Sequence, residues 1–281
     1  MNYPSARERA IAAARNMLPL PQGAVQVLAM LASWDCDLKR VAGVIEKDPV
    51  LAMRVLSVAN SAAFSRGRSI VDVRHAVTML GIVPLRAYAI GWTILNMFKR
   101  MRTPEFWDHK GFIAHSVATA CLTEQLVDAL AHAQKQEAYV AGLVHDIGKL
   151  ILAVHLPDEY GRVIAAARVT ERPLRELELD QIGIDHAELS GIAGHQWKLP
   201  ESVCTAVRFH HTPWLDPCCD VPLSLLISQA DAFLNTSQLP LQEAGETSTE
   251  ILNLPCRQAE ADTALKAFWR IWPMMRSLLA C

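Results

Sequence analysis

An adjacent His145–Asp146 pair closes a stretch of small and apolar residues, and it offers a neutral nitrogen ligand and an anionic oxygen ligand side by side. That donor pair suits a divalent ion of intermediate softness such as iron, manganese or zinc. Lys149 stands four residues past His145, where it can point a cation at a phosphate beside such an ion. A single pair holds an ion poorly, because structural and catalytic ions want about four to six ligands from dispersed positions. The chain supplies further candidates at His115, His186, His210, His211 and Asp231, each on or at the end of a predicted helix. The alternative is a buried His/Asp network, hydrogen-bonded within itself and holding no ion.

The elements that must position these residues are helices. From Glu137 to Leu152, Tyr139, Val140, Leu143 and Val144 recur at helical spacing with Ala141 and Gly142 between them, and Gly148 permits a sharp exit. Almost no segment alternates with period two, so the expected fold is all-α. The N-terminal part reads as helices over 5–17, 22–33, Leu38–Glu46 (capped by Asp37), Val50–Asn60 (opened by Asp48-Pro49), Asp72 to Leu80-Gly81, and Pro84 to about Met101. Beyond a linker at Thr103-Pro104, helices are expected over Phe112–Leu130, Glu137–His145, Leu150–His155 and Pro157–Val169. An irregular arm covers 170–184. Asp185 then starts the helix containing His186, Leu199-Pro200-Glu201 opens one reaching His210-His211, Pro213–Asp220 is a loop, and Pro222 opens the helix carrying Asp231. Residues 236–257 read as a polar loop. Residues 258–271 form a helix that Pro273 kinks or restarts, its Leu, Phe and Trp face docking on the domain or on a partner. These elements divide into segments 1–103, 104–235 and 236–281.

Composition bounds the function. The chain has 281 residues, 51% hydrophobic and 20% charged, with a net charge of −2, so no whole-chain field favours nucleic acid or an anionic membrane. The charged N-terminus lacks an apolar signal core, and the longest helix-like apolar run, Ala87–Phe98, falls far short of a membrane span. The seven cysteines show no CxxC spacing and read as reduced thiols of a cytoplasmic protein, with a redox role open only for adjacent Cys218 and Cys219. The two short helices flanking Asp48-Pro49 resemble a helix-turn-helix, yet the second carries only Arg54, which favours packing over DNA reading. Between Ala62 and Arg102 seven basic residues (Arg66, Arg68, Arg74, Arg86, Lys99, Arg100, Arg102) face one acid, Asp72, which is either an anion-binding surface or dispersed solvated charge.

HDIGK at 145–149 behind a small, apolar helix resembles the signature of the HD metal-dependent phosphohydrolase superfamily. LPLP at 18–21, DP at 48–49, Val55-Leu56 followed by Ala59-Asn60-Ser61, AVTMLG at 76–81 and Leu85-Arg86 look like the N-terminal half of the HDOD family, and the two resemblances together cover about 18–235. They imply a helical N-terminal subdomain packed on an HD-like bundle, in a bacterial signalling module acting through a signalling protein or an anionic small ligand. They also imply a His, HD, Asp set at His115, His145-Asp146 and Asp231, with His186, His210 and His211 completing a site for one or two ions as in the related HD-GYP enzymes. In an enzyme of that kind Asp146 would bridge two ions and Lys149 would offset charge on a phosphate ester. Two departures weigh against catalysis: the Glu expected one turn before the first His is Gly111, and His210-His211 runs into TPWLDPCCD instead of a GYP stretch. Asn60 is expected to be a structural hydrogen-bond hub. His75, His109, His132, His155 and His195 match no ligand position.

Overall fold

The computed structural model describes residues 4–17, 37–60, 69–81, 85, 101–105, 107–130, 135–217, 221–236 and 257–280. Every regular element among the described residues is helical, as the period of the apolar residues dictates. The expected helices over 22–33 and most of Pro84–Met101, the loop over 236–257, and the Ala87–Phe98 run lie outside the described residues. So do His132, Arg66, Arg68, Arg86, Lys99 and Arg100, and five of the seven cysteines.

The chain divides by packing into two compact units, Met1–Pro19 with Phe98–Leu265, and Leu20–Met97 with Lys266–Cys281. This grouping follows contacts and not chain order, so it cuts across the segments drawn from sequence.

In the second unit, α2 (Leu38–Ile45), α3 (Pro49–Ala59) and α4 (Val73–Leu80) pack against one another. Asp37 and Asp72 cap α2 and α4 by accepting the amides of Lys39 and His75, and the Asp48 carboxylate accepts the Leu51 amide at 3.1 Å. A positive φ of 75° at Gly81 ends α4, a conformation that favours glycine. Asn60 is a hub: its amide nitrogen donates to the carbonyls of Leu56 (2.8 Å) and Ile70 (2.7 Å), and its oxygen accepts the Ile70 amide (2.7 Å).

The first unit holds α1 (Ala6–Arg15) and the run α5 (His109–Ala129), α6 (Lys135–Val144), α7 (Ile147–His155), α8 (Pro157–Thr170), α9 (Leu174–Gln181), α10 (His186–Gln196), α11 (Glu201–Arg208) and α12 (Leu223–Thr236), with a 3-10 turn at Pro213–Leu215. The α6–α7 segment is the core. Ala138, Tyr139, Ala141, Leu143, Ile147, Leu150, Ile151 and Leu152 are buried, and around them α5 and α11 pack on α6 while α1, α8 and α10 pack on α7. By length and composition Glu137–His155 is apolar enough to span a membrane, but 78% of that window is buried inside the fold. Two glycines permit the tightest approaches. A Cβ at Gly142 would come 2.8 Å from the Ala120 Cα on α5, and one at Gly148 would come 2.0 Å from the His186 carbonyl oxygen on α10.

Three elements differ from expectation in more than a shift of their first residues. Residues 174–181, expected to be irregular, form α9: its LRELELDQ sequence shows no wide apolar stripe, yet it buries Leu177 and Glu178. The helix carrying Val203 ends at Arg208, so His210 and His211 sit in the turn beyond it. The last helix, α13 (Gln258–Ala280), runs through Pro273 without restarting, and Leu265, Phe268 and Trp272 on its apolar face are buried within the chain.

Candidate metal centre

His145 and Asp146 occupy the two-residue turn between α6 and α7, where the chain changes direction inside the core. Around them the first unit brings together every ligand candidate read from the sequence. His115 comes from α5, His186 from the first position of α10, His210 and His211 from the turn after α11, and Asp231 from the middle of α12.

The ligand atoms form two groups, each within 4.8 Å: His115, His145, Asp146 and Asp231, and His186, His210 and His211. Asp146 joins them, because its two oxygens turn opposite ways. Oδ2 lies 3.3 Å from His145 Nε2, 3.8 Å from His115 Nε2 and 2.6 Å from Lys149 Nζ. Oδ1 lies 3.3 Å from His186 Nε2 and 3.9 Å from His210 Nε2. On the first side Asp231 Oδ1 lies 2.9 Å from His115 Nε2 and 3.7 Å from His145 Nε2, and it accepts a 2.9 Å bond from the Asn235 amide. On the second side the Nε2 atoms of His186 and His211 are 2.8 Å apart.

Each buried imidazole is oriented by its other nitrogen. Nδ1 of His145 donates to the Gly142 carbonyl at 2.7 Å and Nδ1 of His210 to the Val207 carbonyl at 2.6 Å, which aims both Nε2 atoms inward; that of His210 carries a lone pair, and that of His145 does once its proton is given up. His186 is held from α9, where the Glu178 carboxylate meets both its Nδ1 and its backbone amide. Sequence reasoning missed Glu178, which sits in a charge-rich run that reads as surface; no single-sequence signal marks it as fully buried.

The electrostatics ask for positive charge. Burial disfavours charge on Asp146 and Asp231, yet His145 and Lys149 beside the first, and His115 and His145 beside the second, hold both carboxyls well below the ordinary range. Burial also opposes charge on His145, but Asp146 and Asp231 outweigh it and lift the imidazole to about 10. Lys149 is raised for the same reason. On the other side burial and neighbouring imidazoles keep His210 well below its usual value and His211 down at about 3, so both present neutral nitrogens able to ligate.

The residues fit a divalent ion. The Nε2 atoms of His115, His145 and His210 and Oδ1 of Asp146 are shielded from water and have no partner in hydrogen-bonding geometry, although buried polar atoms are ordinarily paired. Imidazole and carboxylate donors together suit iron, manganese or zinc. His75, His109, His155 and His195 stand outside both groups; the His109 ring, for example, is engaged by Trp107 and Thr103. Of the basic stretch, Arg74 pairs with Glu46 and Arg102 with Asp158. Cys121 and Cys204 are buried, and burial pushes the Cys204 thiol up to about 11, away from the thiolate form.

Comparison with known proteins agrees with this architecture. Residues 17–213 match the HDOD domain, and the chain belongs to that family. It is similar to an uncharacterized protein of Treponema pallidum, 23% identical over 197 residues, and spans 37% of that relative's length. Among solved structures it is similar to an HDOD domain protein of unknown function from Geobacter sulfurreducens (TM-score 0.75, 22% identity, 97% of each chain). It is also similar to a Shewanella amazonensis protein provisionally named a phosphohydrolase (TM-score 0.69, 22% identity, 96% of this chain and 97% of that one). A third, provisionally named a signal transduction protein, comes from Marinobacter aquaeolei (TM-score 0.70, 20% identity, 96% of this chain and 65% of that one). At these identities the likeness establishes the HD-like helical fold.

Proposed function

We propose that this chain is a regulatory HDOD module that holds one or two divalent cations at His115, His145, Asp146, His186, His210, His211 and Asp231, and acts by binding a signalling protein or an anionic small ligand. The observation that carries the reading is the set of inward-facing ligand atoms that are buried without hydrogen-bond partners. A purely structural network would have satisfied them internally. Binding is favoured over turnover by how little of the set is exposed: His145 and His210 are 0% exposed, Asp146 and His186 1%, and Asp231 6%, and His115 and His211 are half-buried. Catalytic ions keep an open position for substrate, whereas structural ones are enclosed.

A second reading, hydrolysis of a nucleotide-type phosphate ester, has a specific observation behind it. Lys149 is the charged group of the site with some exposure, 20% at its side chain, and it stands 2.6 Å from the carboxylate shared by both ligand groups. A bound ion would supply Lewis-acid polarisation of a phosphoryl oxygen. Lys149 would offset its charge, and Asp146 would hold the lysine in place.

Elemental mass spectrometry of the purified protein tests the first reading. One or two equivalents of iron, manganese or zinc, lost in His145→Ala/Asp146→Ala, are expected. Wild-type protein that stays empty after soaking in those metals overturns it. Hydrolysis of a generic phosphodiester by manganese- or iron-loaded protein, abolished in the double variant, would replace binding with the second reading.

A further inference from the structure

We infer that Glu178, outside both ligand groups, is the positioning residue that makes the His186 side of the centre able to hold a cation; this rests on the metal-holding reading above. Glu178 is 0% exposed, and three donors converge on it from two elements, α8 and α10. Its Oε2 meets His186 Nδ1 at 2.5 Å and accepts the His186 backbone amide at 2.9 Å. Its Oε1 accepts the hydroxyl of Tyr160 from α8, itself fully buried, at 3.1 Å. A carboxylate only accepts, so His186 donates from Nδ1, and in the neutral ring its Nε2 carries the lone pair. That lone pair points to the place shared by His211 Nε2, 2.8 Å away, and Asp146 Oδ1, 3.3 Å away.

Charge gives the residue a second task. The His115 side has two carboxylates, Asp146 and Asp231, facing its imidazoles. The His186 side consists of three imidazoles and shares only one oxygen of Asp146. A dication there would meet almost no compensating charge without the Glu178 carboxylate one imidazole away. An anionic partner on the far nitrogen also makes the ligating nitrogen a stronger donor, and losing such a partner ordinarily costs about tenfold to hundredfold in metal affinity. The same α9 helix fixes the backbone of the ligand, because Arg175 donates to Asp185 at 2.7 Å and Asp185 caps α10 at the Glu188 amide. Orientation and charge compensation of His186 therefore come from α9, which also helps to fix its backbone.

The test is a Co²⁺ and Zn²⁺ titration of the full chain, read by calorimetry and by the visible absorption of bound cobalt. Glu178→Gln keeps the side-chain shape and an accepting oxygen and removes the charge. His186→Ala and His115→Ala assign the equivalents to the two sides. The equivalent that His186→Ala removes is expected to bind about tenfold to hundredfold more weakly in Glu178→Gln, with an altered cobalt spectrum, while the equivalent that His115→Ala removes is unchanged. Unaltered affinity at the His186 equivalent overturns the inference alone. Equal weakening of both equivalents reduces Glu178 to a structural part and also overturns it. If His186→Ala removes no equivalent the inference fails, and if wild type binds no metal both it and the reading beneath it fail. Should Glu178→Gln not fold, nitrogen NMR of metal-free wild type decides. A His186 proton on Nδ1, strongly downfield from its short bond to the carboxylate, is expected, and a proton on Nε2 alone overturns the inference.

Discussion

Replacing Gly148 by alanine is the sharpest perturbation of this centre that substitutes none of its ligands. The added methyl would lie 2.0 Å from the His186 carbonyl oxygen and 2.8 Å from its carbonyl carbon and Cα. Those are backbone atoms at the start of α10, so no side chain can swing aside, and reaching ordinary contact requires the two helix starts to part by about 1.4 Å. The parting also strains a relay in which the Gly148 amide donates to Ser190 Oγ at 2.9 Å and Ser190 Oγ donates to the His186 carbonyl at 2.8 Å. Overpacking of this kind costs about 3 kcal/mol at the upper end of its usual range, and the better helix propensity of alanine returns at most about 1 kcal/mol. A net loss of about 2 kcal/mol is expected, measured as a lower denaturant midpoint at constant slope. Because His186 moves with α10, its Nε2 leaves the 3.3 Å approach to Asp146, and metal affinity at the His186 side should fall about tenfold or more. Calorimetric metal titration of Gly148→Ala beside wild type measures this. A variant that keeps both stability and affinity would refute the claim that the α7–α10 contact sets the site.

Further outcomes are expected. In metal-free protein His145, lifted to about 10, keeps its proton at neutral pH, and a cation must displace it. Apparent affinity should therefore rise about tenfold per pH unit between about pH 7 and 9, with about one proton released in calorimetry across buffers of different ionisation enthalpy; a flat profile would contradict the charge assignment. Asp185→Ala removes the α10 cap and the partner of Arg175, and should cost about 1–2 kcal/mol by urea unfolding at pH 7. Burial opposes the Asp185 charge, but the Glu188 amide and Arg175 outweigh it and depress the carboxyl. Its contribution is accordingly present above about pH 4 and lost as pH falls through the depressed value, so wild type and variant should converge in acid. Asn60→Ala breaks three bonds to the backbone and should lower stability by about 2–3 kcal/mol, against near-neutral changes at exposed Arg54.

The sequence exposed the ligand types better than their supports. His145-Asp146 stood out because two unlike donors adjoin at the end of an apolar helix, and period 3.6 placed His115 and Asp231 on helices. The capping chemistry of Asp37, Asp72 and Asp185 was legible because it is local, one side chain to an amide two or three residues on. Glu178 was not, since what makes it important is a histidine eight residues away and a tyrosine on another helix. The irregular reading of 174–181 failed for a related reason: α9 buries a carboxylate where periodicity looks for an apolar side chain. The restart allowed at Pro273 does not occur: a proline costs a helix one bond and a steric clash locally, while Phe268 and Trp272 before it and Met275 after it are buried and carry the helix through.

Asp146 carries one negative charge and two oxygens, one turned toward each ligand group. A cation held on one side would draw electron density from the other, so the two affinities would be interdependent, and linkage would make the dependence equal in both directions. Filling the first side would raise the concentration needed to fill the second. Wired through one carboxylate, such a module would answer rising metal in two separate steps, and its singly filled form would persist over a range of concentration as a distinct state for a partner to recognise.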